Sequence, residues 1–142
     1  MKLLRTIRRD AAGSAAFPRA AAPGEWAVTG TFLFWGRDVA ALDEDEQAAF
    51  RSGFVGVESL GFAALVAVEE ADAEAHRAAV AALAAHIHAH LDGPAVDAAV
   101  AAAAEELSFA ASLADHPAGT LLTIERRFED GEIRERCRVF EG

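Results

Sequence analysis

Residues Thr120–Phe140 read TLLTIERRFEDGEIRERCRVF, and how this stretch is read decides the fold. Apolar and charged residues alternate on both sides of Asp130-Gly131, the period of a half-buried strand and not of a helix. The favoured two-residue hairpin turn needs positive φ at both central positions, which Asp tolerates and Gly adopts freely. The stretch is therefore expected to be a hairpin with strands Thr120–Glu129 and Glu132–Phe140. A two-residue turn fixes the register. Glu129 then opposes Glu132, Arg127 opposes Arg134, Glu125 opposes Arg136, Thr123 opposes Arg138, and Ile124 opposes Cys137.

This register sorts the side chains onto two faces. One face carries Leu122, Ile124, Phe128, Ile133, Cys137 and Val139, with the opposite-charge pair Arg126–Glu135 among them. The other carries Arg127, Arg134, Arg136 and Arg138 with Glu125, running from the Glu129–Glu132 pair at the turn to Leu121 and Phe140. Like charges directly opposite one another destabilise a strand pair. Four arginines on one face suggest a field that takes an anion or an acidic surface. Cys137 falls among apolar neighbours, the position of a small core residue and not of a reactive thiol.

Working outward, Lys2–Arg9 reads as a strand and Trp26–Trp35 as a second one, apolar on both faces at its far end. Asp43 and Glu46 resemble a capping box for a short helix, Glu44–Ser52. The stretch SGFVGVESLGF reads as a flexible turn leading into a buried strand, Phe62–Glu69. A helix from Asp72 to Leu91 places Val80, Leu83, Ile87 and Leu91 on one stripe, and Asp92-Gly93-Pro94 ends it. A second helix, Pro94–Ala114, places Val96, Val100, Ala103 and Leu107 on one stripe. The order is β-β-α-β-α-α-β-β. This predicts an α+β fold with an antiparallel or mixed sheet of about five strands and three helices packed on one face.

The 142 residues suit a single domain spanning 1–142. The lone cysteine excludes an internal disulfide, which fits a cytoplasmic protein. No apolar run approaches the roughly 20 residues of a membrane span. The net charge of −10 disfavours nucleic acid. Charge is unevenly spread: residues 36–117 hold 15 acids and three bases, while the two ends carry the other ten bases.

His86-Ile87-His88-Ala89-His90 is the segment most suggestive of chemistry. On a helix His86 and His90 share a side, but Ile87 stands where a zinc protease would carry Glu, and no third ligand has companion spacing. The segment reads as the solvated end of a helix, and His76 as a partly buried structural residue; no metal and no cofactor are expected. Asp115-His116-Pro117 reads as a helix terminus. The glycines of SGFVGVESLGF form neither a phosphate loop nor a nucleophile elbow.

The segments KLLRTIR, PGEWAV, FRSGFVGVESLG, FAASLADHPAGTL and FEDGEIRER, spread from end to end, resemble a family of short bacterial proteins classed only as a domain of unknown function. The resemblance implies one domain in a bacterial cytoplasm and carries no activity or ligand. The function expected from the residues is non-catalytic: a protein that acts through contacts with a partner or with its own copies, as a homodimer or other homo-oligomer, using Arg127, Arg134, Arg136 and Arg138. A small anionic ligand on those arginines is a further candidate. The alternative is a ligand-binding protein or enzyme with a pocket between sheet and helices, lined by Trp26, Trp35 and His116.

Overall fold

A computed structural model describes residues 1–7, 17–90 and 95–141, with the His90 side chain excepted. Its strands are β1 (Lys2–Thr6), β2 (Trp26–Val28), β3 (Phe54–Gly56), β4 (Phe62–Ala63), β5 (Val66–Glu70), β6 (Leu121–Glu129) and β7 (Glu132–Val139). Its helices are α1 (Glu44–Ser52), α2 (Ala73–His90) and α3 (Val96–Leu113), with 3-10 turns at Thr31–Phe34 and Val39–Ala41. The α+β class holds, and the sheet is antiparallel. The strand count and the order of elements are corrected: the described residues form seven strands in the order β-β-α-β-β-β-α-α-β-β, and these stand β4-β3-β2-β1-β5-β6-β7 in the sheet.

One additional strand, β3, comes from the glycine-rich stretch that reads as a flexible turn, and the other from the splitting of an expected strand. Phe54, Val55, Gly56 and Val57 are all buried, and β3 pairs β4 across a short turn. The expected strand Phe62–Glu69 is broken at Ala64-Leu65 into β4 and β5. That break shapes the sheet. β4 and β5 stand four places apart in the strand order. A flat sheet would separate them by about 19 Å, at roughly 4.8 Å per strand. The three Cα steps from Ala63 to Val66 reach at most about 11 Å. The sheet must therefore curl until its β4 end approaches β5.

β1 is central and covered on both faces: Leu3 and Leu4 are each 0% exposed. The expected strand Trp26–Trp35 stops at Val28. Gly30 takes φ +82, and a Cβ there would stand 2.2 Å from Val55 Cγ2, so the Val55 side chain fills the space and only glycine fits. The chain then turns into the 3-10 helix, which sends Phe34 into the core and leaves Trp35 outside.

α1 is capped by Asp43, whose carboxylate accepts from Glu46 N at 2.8 Å, and α2 by Asp72, which accepts from Ala75 N at 2.7 Å. Leu83 and Ile87 of α2 are buried as the periodicity predicts. The stripe expected on α3 is corrected. Val96 and Val100 are exposed, and the buried row is Ala99, Ala103, Leu107 and Ala110. Alanines let α3 lie close to α2, β1 and β2, an approach that valine branches would prevent. The expected strand end at Arg8-Arg9, Leu91 and the helix stop Asp92-Gly93-Pro94 lie outside the described residues.

Candidate functional site

The hairpin forms as its turn chemistry requires. Asp130 has φ +53 and Gly131 φ +78, the two positive values of the turn whose twist matches paired strands. The observed pairs run from Leu122–Val139 to Glu129–Glu132 and include Thr123–Arg138, Glu125–Arg136 and Arg127–Arg134, the register read from the sequence. β5 pairs only Leu121 and Leu122 of β6, so most of the hairpin extends beyond its neighbour in the sheet.

On the outer face Arg127, Arg134, Arg136 and Arg138 come together. With Glu125 and Glu135 they line an open cavity of about 480 Å³. The face is less cationic than four arginines alone imply. Arg138 lies 3.4 Å from Glu125, Arg127 3.5 Å from Glu129, and Arg134 3.4 Å from Glu132 and 3.7 Å from Glu129. Among the described residues Arg136 is the arginine of this face with no ion pair. Every paired side chain here is at least 43% exposed, so each pair contributes about 0–1 kcal/mol and yields readily to a competing acid.

The inner face is fixed by a group whose pairing with Glu135 follows from the register but whose other acceptors the sequence does not announce. Arg126 is fully buried, its side chain 0% exposed. Its guanidinium donates to Phe50 O at 2.9 Å, Ala49 O at 3.3 Å, Thr31 Oγ1 at 2.7 Å and Thr29 O. It also faces the Phe34 ring, 5.7 Å from the centroid, and lies 3.5 Å from a Glu135 carboxylate oxygen, to which Thr31 Oγ1 donates. The hairpin is thereby tied to the C-terminal end of α1 and to the segment after β2. Burial lowers the Arg126 pKa to about 10, against the attraction of Glu135 and Glu106, so it remains charged at neutral pH. Glu106 of α3 feels the opposite balance: burial first, then Glu135 and Glu105, raise it from 4.5 to about 7, with Arg126 opposing. Arg126 thus meets α1 and interacts with α3 on one side of the sheet, and the arginine face lies on the other. Cys137 opposes Ile124 and is half-buried; burial and then Glu135 push its thiol up to about 11, well away from a reactive thiolate.

The other candidates do not converge. Trp26 lies under Arg5, whose guanidinium carbon is 4.5 Å from the ring centroid. Trp35 is 66% exposed and packs edge-on to Phe32. His116 follows the end of α3, where its carbonyl accepts from Lys2 Nζ at 2.9 Å. A second open cavity, about 470 Å³, lies between α1 and the hairpin tip, lined by Val39, Gln47, Phe50, Arg51 and Phe128 among others; none of those three residues lines it. His86 contacts the Glu58 carbonyl through Nε2, and His88 is exposed. Among the described residues no three His, Cys, Asp or Glu side chains form a metal-ligand group. Glu25, 5% exposed, has a structural role: its carboxylate accepts from Ala22 N, Glu58 N, Ser59 N and Ser59 Oγ at 2.7–3.1 Å, holding the β3–β4 turn. No helix among the described residues is long and apolar enough to cross a membrane.

No curated protein and no solved structure matches the chain. A family model does match, over residues 1–142, and the chain belongs to that family, the family of unknown function DUF6505.

Proposed function

We propose that this chain is a non-catalytic protein that acts by holding an acidic protein surface against the outer face of its β6–β7 hairpin. The observation that carries this reading is the gathering of Arg127, Arg134, Arg136 and Arg138 around one open cavity of about 480 Å³. Their strands are tied to α1 by the buried Arg126 behind them. Their ion pairs are exposed and cheaply exchanged. Arginine suits the role, because its planar fork grips a carboxylate through two parallel hydrogen bonds. The acidic surface belongs to a partner protein or to a second copy of this chain, whose α1 opens with Glu44, Asp45 and Glu46.

Calorimetric titration with a ten-residue oligoglutamate tests the reading, alongside native mass spectrometry for self-association. Wild type should bind the peptide at about 50 mM salt and weaken markedly by about 300 mM. The double variant Arg134→Glu, Arg136→Glu should bind about tenfold or more weakly. Peptide binding and self-association that are both indifferent to the double reversal and to salt would remove it.

A further inference from the structure

We propose that the acidic partner enters as an extended strand added to the open edge of β7, and that this partner is a different protein from the chain itself. The inference rests on the acidic-partner reading and gives it a geometry.

β7 is the last strand of the sheet, and among the described residues nothing pairs with its outer edge. At eight residues it is a long edge, and most of it is exposed. The turn decides which backbone groups are free. A two-residue turn makes Glu129–Glu132 a hydrogen-bonded pair, and such pairs recur at every second residue. Arg134, Arg136 and Arg138 therefore direct their N–H and C=O groups inward to β6, and Ile133, Glu135, Cys137 and Val139 direct theirs outward. An edge of this kind is a template for strand addition.

The arginines then select what may pair. They occupy alternate positions on one side of β7, so an added strand places its own alternate residues directly opposite them, with Cβ atoms about 4.5–5.5 Å away. Acids at positions i, i+2 and i+4 of that strand would meet Arg134, Arg136 and Arg138. A second copy of β7 cannot supply them. Two-fold antiparallel pairing with sheet faces matched sets even-numbered residues against even-numbered ones. Centred on Glu135, it opposes Arg134 with Arg136 twice; centred on Arg136, it opposes Arg136 with itself and Arg134 with Arg138. Every register that overlaps most of the strand confronts like charges, which is destabilising. Glu70, Asp72 and Glu74 of this chain have the spacing acid-x-acid-x-acid but are held at the end of β5, the cap of α2 and its first turn, so the occupant that fits is a heterologous segment of that pattern with β-branched or small residues between.

The test uses three synthetic ten-residue peptides: one alternating Glu with Thr and Val, its scrambled form with the acids consecutive, and the alternating form with every second amide N-methylated. The full-length protein should bind the alternating peptide about tenfold more tightly than the scrambled one, and N-methylation on the pairing edge should abolish that preference. Hydrogen exchange should show new protection at Ile133, Glu135 and Cys137. Equal binding of all three peptides, lost on double charge reversal at Arg134 and Arg136, would overturn strand addition while leaving the acidic-partner reading standing. Binding of none would remove both. A dimer whose formation protects those same amides would also overturn the proposal, by making the chain its own partner.

Discussion

Replacing Arg126 with methionine keeps the unbranched stem of the side chain and removes the guanidinium with its charge and donors. Left behind are the carbonyls of Thr29, Ala49 and Phe50, the Thr31 hydroxyl and the Glu135 carboxylate, all assembled around a guanidinium that is no longer there. Breaking one side of a buried charged network costs about 3–5 kcal/mol; here the Thr29 and Phe50 carbonyls lose their charged donor, while Ala49 O keeps Gly53 N and Glu135 keeps Thr31 Oγ1. A middle value of about 4 kcal/mol can be converted to temperature. At roughly 2.1 cal/mol/K per residue, 142 residues give an unfolding entropy near 0.3 kcal/mol/K and a drop of about 13 °C in Tm. Circular dichroism melts at pH 7 measure this directly, with Arg136→Met as the control. Arg136 lies on the exposed face and should change stability by no more than about 0.5 kcal/mol. A fall of less than about 3 °C for Arg126→Met would refute the reasoning, since it would mean that the stranded carbonyls find other donors at little cost.

Glu106 gives a pH-dependent counterpart. Its folded-state pKa is raised to about 7, so its contribution to stability is present in full below about pH 4.5 and is lost as pH rises through 7. Glu106→Gln should therefore melt higher than wild type at pH 8 and close to it near pH 4; a constant difference across that range would show that the carboxyl is not held neutral. The inward row of α3 is tested by a pair of substitutions. Ala103→Leu, at a residue 0% exposed, should cost about 1–3 kcal/mol or more through overpacking, whereas Val100→Ala, at 43% exposed, should stay near neutral in denaturant titrations. The reverse ranking would restore the valine stripe expected from hydrophobicity.

The hairpin was legible in full because two independent signals, a period of two and an Asp-Gly midpoint, agree on one register. β3 and β4 were not. β3 is three residues long and β4 two, too short for periodicity to mark off either, and the glycines around β3 in SGFVGVESLGF are the residues that signal a loop. On α3 the valines outrank the alanines in apolar surface, yet close approach to α2 and the sheet selects the smaller side chains. Arg126 stood in plain view as a charge on an apolar face opposite Glu135. Its other acceptors are mostly backbone carbonyls, which carry no mark in the sequence. The gathering of the outer arginines followed from the register, but their ion pairs with Glu129, Glu132 and Glu125 reach along and across the strands and needed coordinates.

The central place of β1 governs the order in which the molecule can fold. It meets β2 at only two residue pairs, Leu4–Ala27 and Arg5–Trp26, but meets β5 along its whole length, from Lys2–Glu70 to Thr6–Val66. Its principal partner is therefore made more than 60 residues later. At about 5–20 residues per second on the ribosome, Leu3 and Leu4 wait roughly 3–12 s for the strand that covers their edge. Folding is thus dominated by a non-local closure and belongs with the slower sheet topologies. During that interval the apolar side chains of β1 lack the partner strand that they meet along its whole length in the folded sheet.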